Sequence, residues 1–369
     1  MSLISTISAS SQKGFQSPEP GNGPVLQVKL TAPTPRADGN FGSSIDITDN
    51  GDRLIVGEPG GGGTAGYVYF FIRSGSSWTL EDTLTDSVIN GSFGINVSIS
   101  GDGNYATVSQ GTGHKTFAYN RSGSSWNLMT TFTSGATAKL NQDGTYCVVG
   151  NSNYSRAGSS ANGRVLIYNR VTTTWSLQQE LTYATGYADM KMGSSVDIDD
   201  TGSKIIVGNR PTTVGEAPLS STRTGSTWSS LFELDFPVLT SETQPVSISG
   251  DGNYMSASYR LGSNLQTTVW YPGSTIQIQP LGSNLPLSAS LPHVNLNETG
   301  DIILVGNQSW NRVSATWSLD VTYTTYEINS FTGLPWIFNT NAINDNGDYK
   351  VFNTREPNNG AGAVYIFAS

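Results

Sequence analysis

Charge is scarce in this chain: Asp, Glu, Lys and Arg make up 13% of its 369 residues, about half of the roughly 25% usual in soluble domains. The 19 basic residues are scattered and the net charge is −9, so there is no basic footprint for a phosphate backbone and nucleic acid is not an expected partner. A single cysteine, Cys147, excludes any disulfide within the chain; it sits in the apolar run Tyr146–Val149, where a buried, inert thiol is expected. The only histidines, His114 and His293, fall far apart, which removes Ser-His-Asp, Cys-His and zinc constellations. No run approaches 18 apolar residues, so no membrane insertion is expected. The N-terminus MSLISTISASSQKGFQSPEPGNG lacks a charged stretch followed by an apolar core, so no signal peptide is visible. No amphipathic 3.6-residue pattern occurs, so helix is expected to be nearly absent.

Glycine, by contrast, is abundant at 42 residues, and much of it is periodic. One unit reads FGSSIDITDNGDRLIVGEP, then a Gly-rich loop, then GYVYFFIRSGSSWTLEDTLT. Related units begin near residues 93, 136, 192, 244, 292 and 339, the last ending early. Each carries one turn glycine: Gly51, Gly103, Gly144, Gly202, Gly252, Gly300 and Gly347. Asp-Gly, Asn-Gly and Thr-Gly there point to a tight hairpin, and Arg-Ser-Gly-Ser-Ser-Trp at 73–78 and 121–126 marks a second. Two hairpins per unit, at a period of 40 to 50 residues, define four-stranded propeller blades. A β-solenoid coil would be shorter and a sandwich about twice as long. The fold class expected is therefore all-β, a single seven-bladed β-propeller of four-stranded antiparallel blades spanning residues 25–369. Blade seven lacks a fourth strand, and residues 25–31, VLQVKLT, carry the missing alternation and final Leu-Thr. They are expected to complete that blade and close the ring, sparing it an open edge.

Phe41-Gly42 with Gly57-Glu58-Pro59, Phe93-Gly94, Met192-Gly193 with Gly208-Asn209, Gly150-Asn151, Gly306-Asn307, and Glu356-Pro357 with Gly362-Ala363-Val364-Tyr365 form a recurring pattern. It resembles the FG-GAP repeat of integrin α-subunit propellers and related bacterial and viral surface proteins. That resemblance implies adhesion and contact with proteins or glycans, and no catalysis. Several members of that family hold Ca²⁺ in D-x-D-x-D-G hairpins. The turns at 46–52 and 197–202 are too short to present six to eight oxygens, so no calcium is expected there.

No catalytic, cofactor-binding or metal-binding residues are assigned, and no cofactor is expected. Five residues before each turn glycine, the innermost strands offer Asp46, Ser98, Lys139, Asp197, Ser247, Asn295 and Ala342. Two carboxylates in such a ring raise the alternative of a glycoside hydrolase, but small polar residues satisfy one another where strands crowd an axis. Trp78, Trp126, Trp175, Trp228 and Trp317 recur at one blade position, which favours packing over sugar stacking. The irregular loops 60–63, 151–162, 212–218 and 322–336 are better placed for recognition. Residues 1–24 form a polar arm outside the repeat, expected to be disordered alone and to reach neighbouring structural proteins in an assembly. The expected function is a structural and binding module, not an enzyme, in a virion such as a bacteriophage tail, fibre or capsid surface. A lectin or adhesin on an extracellular surface, contacting a cell-surface protein or glycan, is the alternative.

Overall fold

The computed structural model describes residues 24–369 apart from 61–64, 87–90, 156–161, 184–189, 210–216, 236–244, 262–263, 272–273, 279–292, 315, 324–339 and 355–361. Among the described residues there are seven antiparallel sheets and no helix. Blade 1 comprises Ser44–Ile47, Arg53–Glu58, Tyr67–Ser74 and Ser77–Thr85. Blade 2 runs from Phe93 to Phe132, blade 3 from Thr137 to Leu181 and blade 4 from Ser195 to Glu233. Blade 5 runs from Val246 to Ile278, blade 6 from Val294 to Thr322 and blade 7 from Asn341 to Ala368. The first strands touch in order around an axis, and that of blade 7 meets that of blade 1. Val25–Leu30 pairs antiparallel with Ala363–Ala368, Leu30 opposite Val364, and supplies the fourth strand of blade 7. The ring is therefore closed by the chain's own N-terminal strand.

Each second strand is buried on both faces, which explains the unbroken runs Leu54-Ile55-Val56, Cys147-Val148-Val149 and Ile303-Leu304-Val305. Leu54 and Val56 pack toward blade 7 while Ile55 packs toward blade 2. The described core divides into seven such clusters, one per seam between blades. Cys147 is fully buried in the seam between blades 2 and 3, and burial drives its thiol far above the ordinary range. Trp78, Trp126 and Trp228 are buried and Trp175 and Trp317 half-buried in these seams. Trp126 stacks on Phe70 of the preceding blade at 4.2 Å, so the repeated indoles are packing residues and not surface platforms.

The Phe-Gly pattern has a structural cause in the same seams. Phe41, Phe93 and Met192 are buried plugs, and each following glycine has positive φ, 87° at Gly42, 88° at Gly94 and 82° at Gly193. This bend presses the backbone of one blade onto two glycines of the blade before. A Cβ on Gly57 would overlap the carbonyl oxygen of Gly94, one on Gly66 that of Phe93, and one on Gly163 that of Met192.

The first hairpin is longer than the tight turn expected. Residues 48–52 connect the strands of blade 1, and only Gly51 has positive φ, whereas a type I′ turn needs it at both central residues. A side-chain acceptor three residues before the glycine replaces part of the backbone ladder. Thr48 Oγ1 accepts from Arg53 N–H at 3.0 Å, Asp199 Oδ1 from Lys204 N–H at 2.7 Å and Asn344 Oδ1 from Tyr349 N–H at 2.7 Å. Ser100, Asn141, Ser249 and Asn297 do the same in the other blades.

A cation then caps each turn. Arg73, Arg121, Arg170, Arg223 and Arg312 donate Nε–H to the carbonyls of Gly51, Gly103, Gly144, Gly202 and Gly300. In blade 5 this register falls on residue 272, outside the described residues, and Lys204 of blade 4 reaches over to Gly252 O at 2.7 Å. In blade 7, Lys350 caps Gly347 O.

Candidate functional site

The side chains singled out from the sequence stand on the innermost strands, and five of them find partners in the next blade. Asp46 Oδ2 accepts Ile99 N–H at 3.0 Å, Ser98 Oγ accepts Leu140 N–H at 3.2 Å, Asp197 Oδ2 accepts Ile248 N–H at 2.9 Å, and Ser247 Oγ accepts Leu296 N–H at 3.1 Å. Asn295 donates Nδ2–H to Asn341 O at 2.9 Å, whereas Ala342 has nothing to offer. First strands have a sheet partner on one side only, so these side chains serve amides that would otherwise be orphaned. Asp46 and Asp197 also accept their own following amides, at 3.2 and 3.0 Å.

Lys139 of blade 3 extends to Asp46 of blade 1, its Nζ 2.9 Å from both carboxylate oxygens. Burial alone would pull the Lys139 ammonium down, but Asp46 and Asp197 outweigh it and hold the group above its ordinary value. Burial pushes Asp197 up, against the pull of Lys139 and of the Ile248 and Ile198 amides. The two carboxylates of the glycosidase alternative thus sit with a lysine between them in charge and with backbone amides on their oxygens.

One constellation escaped sequence reasoning. Two residues before each turn glycine stand Asp49, Gly101, Gln142, Asp200, Gly250, Glu298 and Asp345. Each looks like an ordinary turn residue, and the shortness of one hairpin argued against a cation site. Around the ring, however, they meet. Oxygens of Asp49, Asp200 and Asp345 lie within 4.8 Å of one another, a spacing able to hold a metal ion. Gln142 Nε2 donates to Asp49 at 3.0 Å, and Gly101 and Gly250 leave the space that the carboxylates of Asp49 and Glu298 fill. Burial, then the hydrogen bond and charge of Glu298, push Asp200 up to about 9. Burial, then the charges of Asp49 and Glu298, push Asp345 up to about 7.

These raised values fix the sign of a pH dependence. The folded ring holds protons that an unfolded Asp releases near pH 4, so the stabilisation is complete below that pH and is lost as pH rises toward 9. Melting temperatures in metal-free buffer should fall between pH 5 and pH 9, and Asp200→Asn should flatten that slope. An unchanged slope in Asp200→Asn would show that this carboxylate does not carry it.

Of the irregular loops, residues 61–63, 156–161, 212–216 and 324–336 lie outside the described residues, as does the arm over 1–23.

The closed ring of four-stranded sheets defines the class: a seven-bladed β-propeller. No family model matches the chain and no curated protein matches it. Among solved structures it is similar to the β-propeller domain of Myceliophteria thermophila Cps50 (Swd1), with a TM-score of 0.58 and 11% identity over 94% of this chain and 100% of that one. It is also similar to Kuenenia stuttgartiensis hydrazine synthase, with a TM-score of 0.57 and 10% identity over 90% and 96% of the two chains. A third likeness is to a putative 6-phosphogluconolactonase from Bacteroides uniformis, with a TM-score of 0.53 and 15% identity over 76% and 84%. At such identities the likeness concerns the fold alone.

Proposed function

We propose that the chain is a non-catalytic structural and binding module. The observation that carries this reading is the commitment of the axial polar groups to neighbouring blades: Asp46 and Asp197 each hold two backbone amides. Groups spent in this way stiffen a ring and are poorly placed to exchange protons with a substrate. A virion component with an FG-GAP-like adhesive repeat is the finer reading. It rests on the Phe-Gly pattern and on a polar segment, residues 1–24, that precedes the repeat.

The test is assembly. A chain lacking residues 1–22 should keep its melting temperature but fail to enter particles that incorporate the full chain. Incorporation at the full-length level would overturn the role of the arm, and selective binding to one glycan class on an array would favour the lectin alternative.

A further inference from the structure

We propose that Gln27 is the latch that seats the closing strand, accepting a hydrogen bond from the indole N–H of Trp78 across the seam between blades 7 and 1. In several blades of this ring the outer strand carries a β-bulge at one position, where an extra residue is squeezed out of the ladder and its side chain re-aimed. The squeezed-out residues are Glu81, Met129, Gln178 and Asp320 in blades 1, 2, 3 and 6. In the closing strand the same shift falls between Leu26 and Val28, which makes Gln27 the fifth such residue.

The seam between blades 3 and 4 shows what the bulge accomplishes. Gln178 Oε1 accepts the indole Nε1–H of Trp228 at 3.0 Å. Beside it, Gln179 grips the backbone of the same tryptophan, accepting its N–H at 2.9 Å and donating to its carbonyl at 3.0 Å. Trp78 stands at the Trp228 position in blade 1 and is 1% exposed. Its Nε1 and the Oε1 of Gln27 are both buried without a hydrogen-bond partner. A buried donor and a buried acceptor, each costly when unpaired, thus occupy the two positions that are bonded in the seam between blades 3 and 4. In the seam between blades 1 and 2 the bulged residue is Glu81, whose Oε2 is ion-paired with Arg53 Nε at 3.5 Å; Trp126 Nε1 is buried without a hydrogen-bond partner there, and Asp82 accepts Trp126 N–H at 2.9 Å. Between blades 2 and 3 the bulged residue is Met129, which has no strong acceptor, and Trp175 Nε1 is left unpaired there.

The latch gives the closing strand a side-chain identity check that Val25, Leu26 and Val28 cannot provide, since many apolar strands would match their alternation. The test uses the full chain with Gln27→Leu, Trp78→Phe and both together. Gln27→Leu should accelerate solvent exchange of the Trp78 indole proton about tenfold, the equivalent of one hydrogen bond. It should also lower the melting temperature of the parent and have little further effect in the Trp78→Phe background. If Gln27→Leu does not fold, Gln27→Glu, which keeps an acceptor, should preserve slow indole exchange. An equal loss from Gln27→Leu in both backgrounds, or a Trp78 indole exchanging as fast in the parent as in the variants, would overturn the proposal.

Discussion

Removing residues 1–32 should unfold or aggregate the ring, while removing residues 1–22 should leave its melting temperature almost unchanged. The first deletion takes away Val25–Leu30 and with it the whole ladder to Ala363–Ala368. Leu30 is buried in the seam between blades 7 and 1, with Val28 packed against it. Burial of Leu30 alone is worth about 2 kcal/mol, and each lost ladder bond adds about 1 kcal/mol, so the total reaches a large part of an ordinary domain's stability of roughly 5–15 kcal/mol. The deletion also bares Ala363–Ala368, an apolar strand with no protecting charge, as a pairing edge. The segment that follows the closing strand is separately anchored: Arg36 donates to Glu58 at 2.8 Å and to Tyr69 at 2.7 Å and covers the ring of Tyr67. That anchor survives the deletion, so the loss reports on the strand itself. Equal melting temperatures for the two deletions would contradict a ring closed by residues 25–30.

The second large effect is expected at Gly163. Its φ is 81°, and an added Cβ would overlap the backbone of Met192 in the next blade, so Gly163→Ala combines left-handed strain with a clash neither backbone can escape. A loss of about 3 kcal/mol or more is expected. Gly75 has a similar φ of 61° but open space around it, and Gly75→Ala should cost only about 1–2 kcal/mol. Urea denaturation of the two variants measures the difference; similar midpoints would mean that the seam yields and that the repeated glycines are there for turn geometry alone.

Much of this fold is legible in the sequence because its local rules repeat. Turn glycines count the blades, apolar triplets such as Ile205-Ile206-Val207 announce strands buried on both faces, and VLQVKLT supplies the strand that blade 7 lacks. What repeats with substitution is harder to read. Lys204 and Lys350 stand in for the arginine caps of blades 5 and 7 from other positions in the blade, so no aligned column reveals them. The cluster of turn carboxylates is hidden for another reason: Asp49, Asp200 and Asp345 are distant in sequence, and only ring closure brings their oxygens together. The polar residues of the first strands were legible as a ring, but their partners are backbone amides, which no side-chain pattern records.

Amide hydrogen exchange tests most directly whether the axial groups hold blades together. The amides of Ile99, Leu140, Ile248 and Leu296 donate to Asp46, Ser98, Asp197 and Ser247 respectively. Each should be protected in the parent and exchange faster when its own acceptor is replaced by alanine, the two carboxylates behaving like the two serines. Unchanged exchange in Asp46→Ala and Asp197→Ala, accompanied by loss of a glycoside-hydrolysing activity present in the parent, would contradict the account and make the axis a catalytic site.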